Sequence, residues 1–173
     1  MLPTIAWENE AVVMIDQRQL PQKEVYVRLK SVEQVARAIE NMTIRGAPAI
    51  GLAAAYGLAL AVRQARAGKN LSRAFEKAYE RLWRTRPTAR NLFWALDRMK
   101  TVFEKNQKQD LEALKEIMVA EARQMDEEDL AMNMKIGEYG QKLISSGDTI
   151  LTHCNAGGLA TAGYGTALGV IRA

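Results

Sequence analysis

The sequence predicts an α/β protein: a short β region, a long and mainly helical domain, then the first strand and helix of a second unit. Three observations carry that reading. Apolar residues alternate near the start, they recur at helical spacing between residues 31 and 144, and the period changes again after Ser145.

The β region rests on two runs. Ala11-Val-Val-Met-Ile-Asp16 is followed by a polar break from Gln17 to Glu24, then Val25-Tyr-Val-Arg-Leu29. Two short apolar runs around Leu20-Pro21 read as a hairpin or a pair of edge strands. Ser31-Val-Glu-Gln34 then has the form of a capping box, and Val32, Val35, Ile39 and Met42 keep helical spacing behind it. Thr43 to Pro48 breaks that helix, and Pro48 suits the first residue of the next one, where its missing N–H costs nothing. That next helix is expected to reach about Ala67. It is dense in alanine and glycine, which lets a neighbouring backbone approach closely. A third helix is predicted from Ser72 to Arg84, and Pro87 marks a break. A fourth runs from Thr88 to about Asn106 with Leu92, Phe93, Leu96, Met99 and Phe103 on its apolar side. Asp110 can cap a last amphipathic stretch to about Ile144, with an interruption expected near Asp126 to Asp129.

Beyond that point Ser145 to Asp148 reads as a turn and Thr149-Ile-Leu-Thr-His-Cys154 as a β-rich run. Asn155 to Gly158 turns again, and Leu159 to Arg172 has helical composition. Strand, glycine turn and helix open an α/β unit, but a doubly wound domain needs about 100 residues or more. The expected division is therefore a helical domain at 1–144 and the start of a truncated second domain at 145–173.

Composition narrows the function. The chain of 173 residues is 48% hydrophobic and 25% charged, as a globular protein is. No basic segment followed by a short apolar core opens it, so no secretory signal is expected. Gly46 to Val62 is uncharged but shorter than the roughly 20 strongly apolar residues of a membrane span, so a buried helix is the better reading. One cysteine and one histidine cannot form an internal disulfide or a zinc site, which fits a reducing, cytoplasmic setting. A net charge of +4 suits an anionic small ligand and does not call for nucleic acid.

Four places invite chemistry. Cys154 is ordinarily read as a small buried hydrophobe. Its position, at the carboxyl end of a predicted strand and before a glycine-rich turn, instead favours a ligand crevice. Amides of Ala156 to Gly158 at a helix start would favour an anion and activate a thiol. His153 should face away from Cys154 by strand alternation, so a Cys–His dyad is discounted and His153 is read as a packing or supporting residue. Arg45 precedes Gly46 and Ala47 at the mouth of a helix, as either a phosphate clamp or a solvent-facing loop residue. Arg81, Arg84, Arg86 and Arg90 cluster near Trp83 and Trp94, as either a basic patch or a solvated helix face. Arg86, at the break, is the candidate for a ligand contact. Gly163, Gly165 and Gly169 miss the spacing of a dinucleotide fingerprint by one residue.

Three segments carry a resemblance. Met42-Thr-Ile-Arg-Gly-Ala-Pro-Ala-Ile-Gly51, Thr85-Arg-Pro-Thr-Ala-Arg-Asn-Leu92 and Thr149-Ile-Leu-Thr-His-Cys-Asn-Ala-Gly-Gly-Leu-Ala-Thr161 closely resemble the methylthioribose-1-phosphate isomerase family. Asp16-Gln-Arg-Gln-Leu-Pro21 and Gly163 to Arg172 also fit it. The resemblance implies a helical N-terminal domain, a Rossmann-like C-terminal domain and a site between them. It implies conversion of 5-methylthioribose 1-phosphate to 5-methylthioribulose 1-phosphate in methionine salvage, without a cofactor or metal, by a homodimer. It makes Cys154 catalytic, and Arg45, Gly46, Ala47 and Arg86 substrate-binding. Phosphate blocks the anomeric oxygen of this substrate. Ring opening therefore needs an acid at the ring oxygen and a group that manages the hydrogen at C2. In the family an aspartate beyond the cysteine motif is the acid, and the arginines hold the phosphate still. No carboxylate of this chain follows Cys154, so the 173-residue chain alone is expected to be inactive. Gly158 stands where the family carries alanine, and Arg90 where it carries valine. Ribose-1,5-bisphosphate isomerase shares the acid and cysteine logic. Non-catalytic subunits of a translation-initiation exchange factor share the fold but lack the cysteine motif.

Overall fold

The computed structural model describes residues 4–66 and 70–173. Three antiparallel strands come first: β1 (Ile5–Glu8), β2 (Ala11–Ile15) and β3 (Tyr26–Leu29), in that spatial order. The pair β2–β3 is the expected hairpin, with Val12 opposite Leu29 and Ile15 opposite Tyr26. Strand β1 was not anticipated. It joins β2 through Asn9 and Glu10, both at positive φ, the backbone of a two-residue turn that matches strand twist. Ile5 and Trp7 alternate inward and were its signal in the sequence.

Helices follow: α1 (Val32–Glu40), α2 (Ala47–Arg63), α3 (Leu71–Trp83), α4 (Arg90–Asn106), α5 (Leu111–Gly140) and α6 (Ala167–Arg172). The start signals work as read. Ser31 Oγ accepts from the Gln34 amide at 3.3 Å, and Asp110 accepts from the amides of Glu112 and Ala113. Pro48 is the second residue of α2, one place later than read, but still inside the first turn where its missing N–H is harmless. The helix stops at Arg63, short of the expected end, and Ala67 itself lies outside the described residues.

Helix α2 is the axis of the fold. Thirteen of its residues are buried, against β1, β2 and the four helices α1, α3, α4 and α5. Its small residues permit this crowding. A Cβ at Gly51 would lie 2.8 Å from the Asn91 carbonyl oxygen, and one at Gly57 would lie 3.0 Å from Leu82. The remaining core includes Phe75 stacked on Phe103 at 4.0 Å, with Leu92, Leu96 and Met99 alongside. Arg81 is committed to structure, bridging Glu33 and Glu40 of α1 from α3, so it leaves the basic cluster. No helix among the described residues is long and apolar enough to cross a membrane.

Three expectations fail after residue 110. First, α5 runs unbroken for 30 residues. The acidic run that suggested a break serves tertiary contacts instead. Asp126 accepts from the buried Tyr56 hydroxyl at 3.0 Å, and Asp129 accepts from the Ala162 amide at 2.7 Å. Second, Thr149 to Cys154 forms no strand. It runs exposed, without a ladder partner, and a β-rich segment becomes a strand only beside another one. Third, Leu159 to Arg172 is helical only at its ends: a 3₁₀ turn at Gly158–Ala160, bends, then α6. A bridge between Gly157 and Gly165, the latter at positive φ, folds the glycine-rich chain back on itself. Helix α6 and Tyr164 seat on small residues of α5. A Cβ at Gly137 would meet Tyr164 at 2.9 Å, and one at Gly140 would meet Val170 at 2.7 Å.

Candidate active site

The first and third motifs meet at one concavity of about 730 Å³. Arg45 lines one side, Cys154 to Ala160 another, and Gln17, Leu20, Pro21 and Glu24 a third. That volume is in the range of small-molecule sites. Glycine makes the approach of the two loops possible. Gly46, at φ 95°, would place a Cβ 2.4 Å from Ala160 Cα, so no side chain fits between the Arg45 loop and the cysteine loop.

Gly46 is also the N-cap of α2 and offers no capping side chain. The first amides of a 17-residue helix are thus left for another acceptor beside Arg45, an arrangement suited to an anion. Arg45 is exposed and, among the described residues, makes no ion pair, unlike Arg63, Arg81 and Arg98. Ala47 begins the helix itself.

Cys154 is exposed, with φ 67°, a left-handed conformation that side chains adopt rarely. The thiol is open to reagents and ligands, not packed away as a small hydrophobe. His153 is exposed too and does not line the concavity. Strand alternation cannot explain this, since no strand forms, and the packing role read for His153 is not observed. The amides of Ala156 to Gly158 precede only a 3₁₀ turn, so the expected helix start behind the thiol is absent.

Arg86 stands apart. It is half-buried in the turn between α3 and α4, where its carbonyl accepts from the Ala89 amide at 3.0 Å, and it does not line the concavity. The second motif instead touches the first through Asn91, packed on Gly51. A smaller cavity of about 180 Å³ lies there, bounded by Pro48, Asn91, Trp94, Asp129 and Met132 among others.

Several carboxylates near these cavities are displaced in pKa. Burial pushes Asp126 up to about 6, with the negative charges of Asp129 and Glu127 adding to the effect and the Tyr56 hydroxyl opposing it. Asp129 is raised by burial as well, against its bond from the Ala162 amide. Asp16 moves the other way. The Arg18 guanidinium, bonded to both of its oxygens at 2.8 and 2.7 Å, holds it well below the usual carboxylate range. Among the described residues no group of three His, Cys, Asp or Glu side chains is placed to hold a metal ion.

Residues 43–173 match the model of the initiation factor 2 subunit family. The chain belongs to that family. It is 55% identical to a methylthioribose-1-phosphate isomerase of Geotalea daltonii over 98% of its own length and 50% of the relative's. The corresponding protein of Geobacter sulfurreducens is 54% identical over the same shares. A solved 5-methylthioribose 1-phosphate isomerase from Pyrococcus horikoshii superposes with a TM-score of 0.91 at 46% identity, over 99% of this chain and 49% of that one. A translation initiation factor eIF-2B subunit delta from A. fulgidus gives 0.86 at 42%, over 99% and 50%. The resemblance drawn from the motifs is thereby borne out, and the chain spans about half the length of the relatives it matches.

Sequence reasoning missed Gln17, Thr4 and the wall formed by Leu20, Pro21 and Glu24. The Asp16 to Pro21 motif was visible, but its contacts reach residues more than 140 positions away. Only the fold reveals them.

Proposed function

We propose that this chain is the N-terminal half of an enzyme that converts 5-methylthioribose 1-phosphate to 5-methylthioribulose 1-phosphate. The observation that carries the reading is the shared concavity, where Arg45 and Cys154 face one space although they lie 109 positions apart in sequence. The phosphate sits at Arg45 and the free amides of Gly46 and Ala47, with the C2 region of the sugar near the Cys154 thiol. Arg86, outside this concavity, is assigned a substrate contact on the resemblance of its motif alone. These residues hold and orient the substrate, so that the thiol meets C2 without a search. The acid at the ring oxygen is supplied from elsewhere in the whole protein, and the 173-residue chain binds without turnover. In the whole protein residues 1–144 form the helical domain, and 145–173 open a Rossmann-like domain in which Thr149 to Cys154 is paired as a strand. A homodimer in a reducing cytoplasm, where an exposed lone thiol is not oxidised, belongs to the same proposal.

Calorimetric titration tests it. Methylthioribose 1-phosphate should bind the wild-type chain, methylthioribose without phosphate should not, and Arg45→Ala should weaken binding at least about tenfold, the loss of one charge-assisted contact. Equal binding with and without phosphate would contradict the reading. The relative from A. fulgidus supports a second one, a non-catalytic exchange-factor-like subunit. It predicts binding of neither sugar. Tighter binding of ribose 1,5-bisphosphate would move the assignment to that substrate.

A further inference from the structure

We propose that Gln17 is a positioning residue of this site, a strut that holds the Cys154 loop in register with the Arg45 loop. The proposal rests on the reading that these loops share one sugar phosphate. Gln17 is the residue bonded to both. Its backbone N–H donates to the Thr43 carbonyl at 2.9 Å, two residues before Arg45. Its side-chain Nε2 donates to the Leu159 carbonyl at 2.7 Å, five residues after Cys154. The residue is only 7% exposed yet borders the concavity. A second tether lies beside the first, since Thr4 Oγ1 donates to the adjacent Gly158 carbonyl at 2.9 Å.

The residue type follows from the task. Leu159 offers a carbonyl, so the strut needs a donor, which an ionised glutamate lacks and an asparagine would hold one methylene too short. The backbone of the strut is fixed in turn. Asp16 is buried, its amide donates to the Val25 carbonyl at 2.8 Å, and its carboxylate accepts from the Arg18 amide and side chain and from Gln19. This gives the whole Asp16 to Pro21 motif a purpose. Asp16 locks the turn, Gln17 reaches across, and Leu20 and Pro21 form wall.

The test compares wild type with Gln17→Met, which keeps volume and removes the donor, and with Thr4→Val. Amide hydrogen exchange is followed at Ile44, whose N–H bonds to the Ala38 carbonyl, and at Ala160, bonded to Gly157. Gln17→Met keeps the backbone bond to Thr43 and loses the side-chain bond to Leu159. Exchange at Ala160 should therefore rise about tenfold, the scale of one lost hydrogen bond, while Ile44 and the Leu96 amide in α4 stay within about twofold. Affinity for methylthioribose 1-phosphate should fall about tenfold. Thr4→Val should loosen Ala160 and leave Ile44 unchanged. Exchange that rises throughout the protein, or an Ala160 amide unchanged in Gln17→Met, overturns the strut. If Gln17→Met does not fold, Gln17→Asn decides, and wild-type exchange there overturns it as well. A wild-type chain that binds no sugar phosphate counts against the function proposed above, while the exchange pattern still decides the role of Gln17.

Discussion

Helix α2 and residues 149–154 are built from similar material and meet opposite fates. Both are rich in apolar residues, and α2 carries no charge before Arg63, its last residue. Helix α2 is buried on every side, whereas Leu151 is 97% exposed and Ile150 is 42% exposed. Composition tells what a segment gains by burial, not whether a partner is there to bury it. For α2 the partners are the sheet and four helices within the same chain. For 149–154 none is present among the described residues, and the backbone does not pair.

The largest effect expected from this contrast is in the core. Leu58→Ala should cost about 2–5 kcal/mol in chemical denaturation, because the buried side chain leaves a cavity that close packing cannot refill. Next comes the glycine that joins the two motifs. Gly46→Ala should cost about 1–3 kcal/mol, from a positive φ and a Cβ driven into Ala160, and should loosen the cysteine loop. A pH effect follows. The Asp126 carboxyl titrates near 6 in the folded chain against an ordinary 3.8, so the folded state binds its proton more tightly. That stabilisation is complete below about pH 4 and is lost as pH rises through about 6. It amounts to on the order of 1–2 kcal/mol after allowance for partial exposure. Asp126→Asn, which still accepts from Tyr56, should flatten stability over that window. The smallest effect belongs to Leu151→Ala, within about 0.5 kcal/mol of wild type in the same denaturation experiment. A loss comparable to that of Leu58→Ala would break the comparison.

Much of the fold was legible because local chemistry set it. Ser31 and Asp110 announce helix starts by offering side-chain acceptors, and the alternation of α2 between alanine, glycine and leucine marks a helix crowded on all faces. The missed strand β1 turns through Asn9 and Glu10, without the glycine that usually signals such a turn. The break expected at the acidic run from Asp126 to Asp129 does not occur, and three of these four residues answer Tyr56, Arg98 and Ala162 across the fold. At the site, the family resemblance of the motifs pointed to Arg45, Gly46, Ala47, Arg86 and Cys154. It could not show that Arg86 stands outside the concavity or that Gln17 spans it, because those are facts about long-range contact.

The most direct test of the account uses the single thiol as its own reporter. The alkylation rate of Cys154 by iodoacetamide would be measured with and without methylthioribose 1-phosphate, in wild type and in Arg45→Ala. The account predicts at least about tenfold slowing by the sugar phosphate in wild type and little slowing in Arg45→Ala, since one ligand must touch both loops. A rate that does not respond to the ligand in wild type, at concentrations where calorimetry shows it bound, would mean that Arg45 and Cys154 do not share a site.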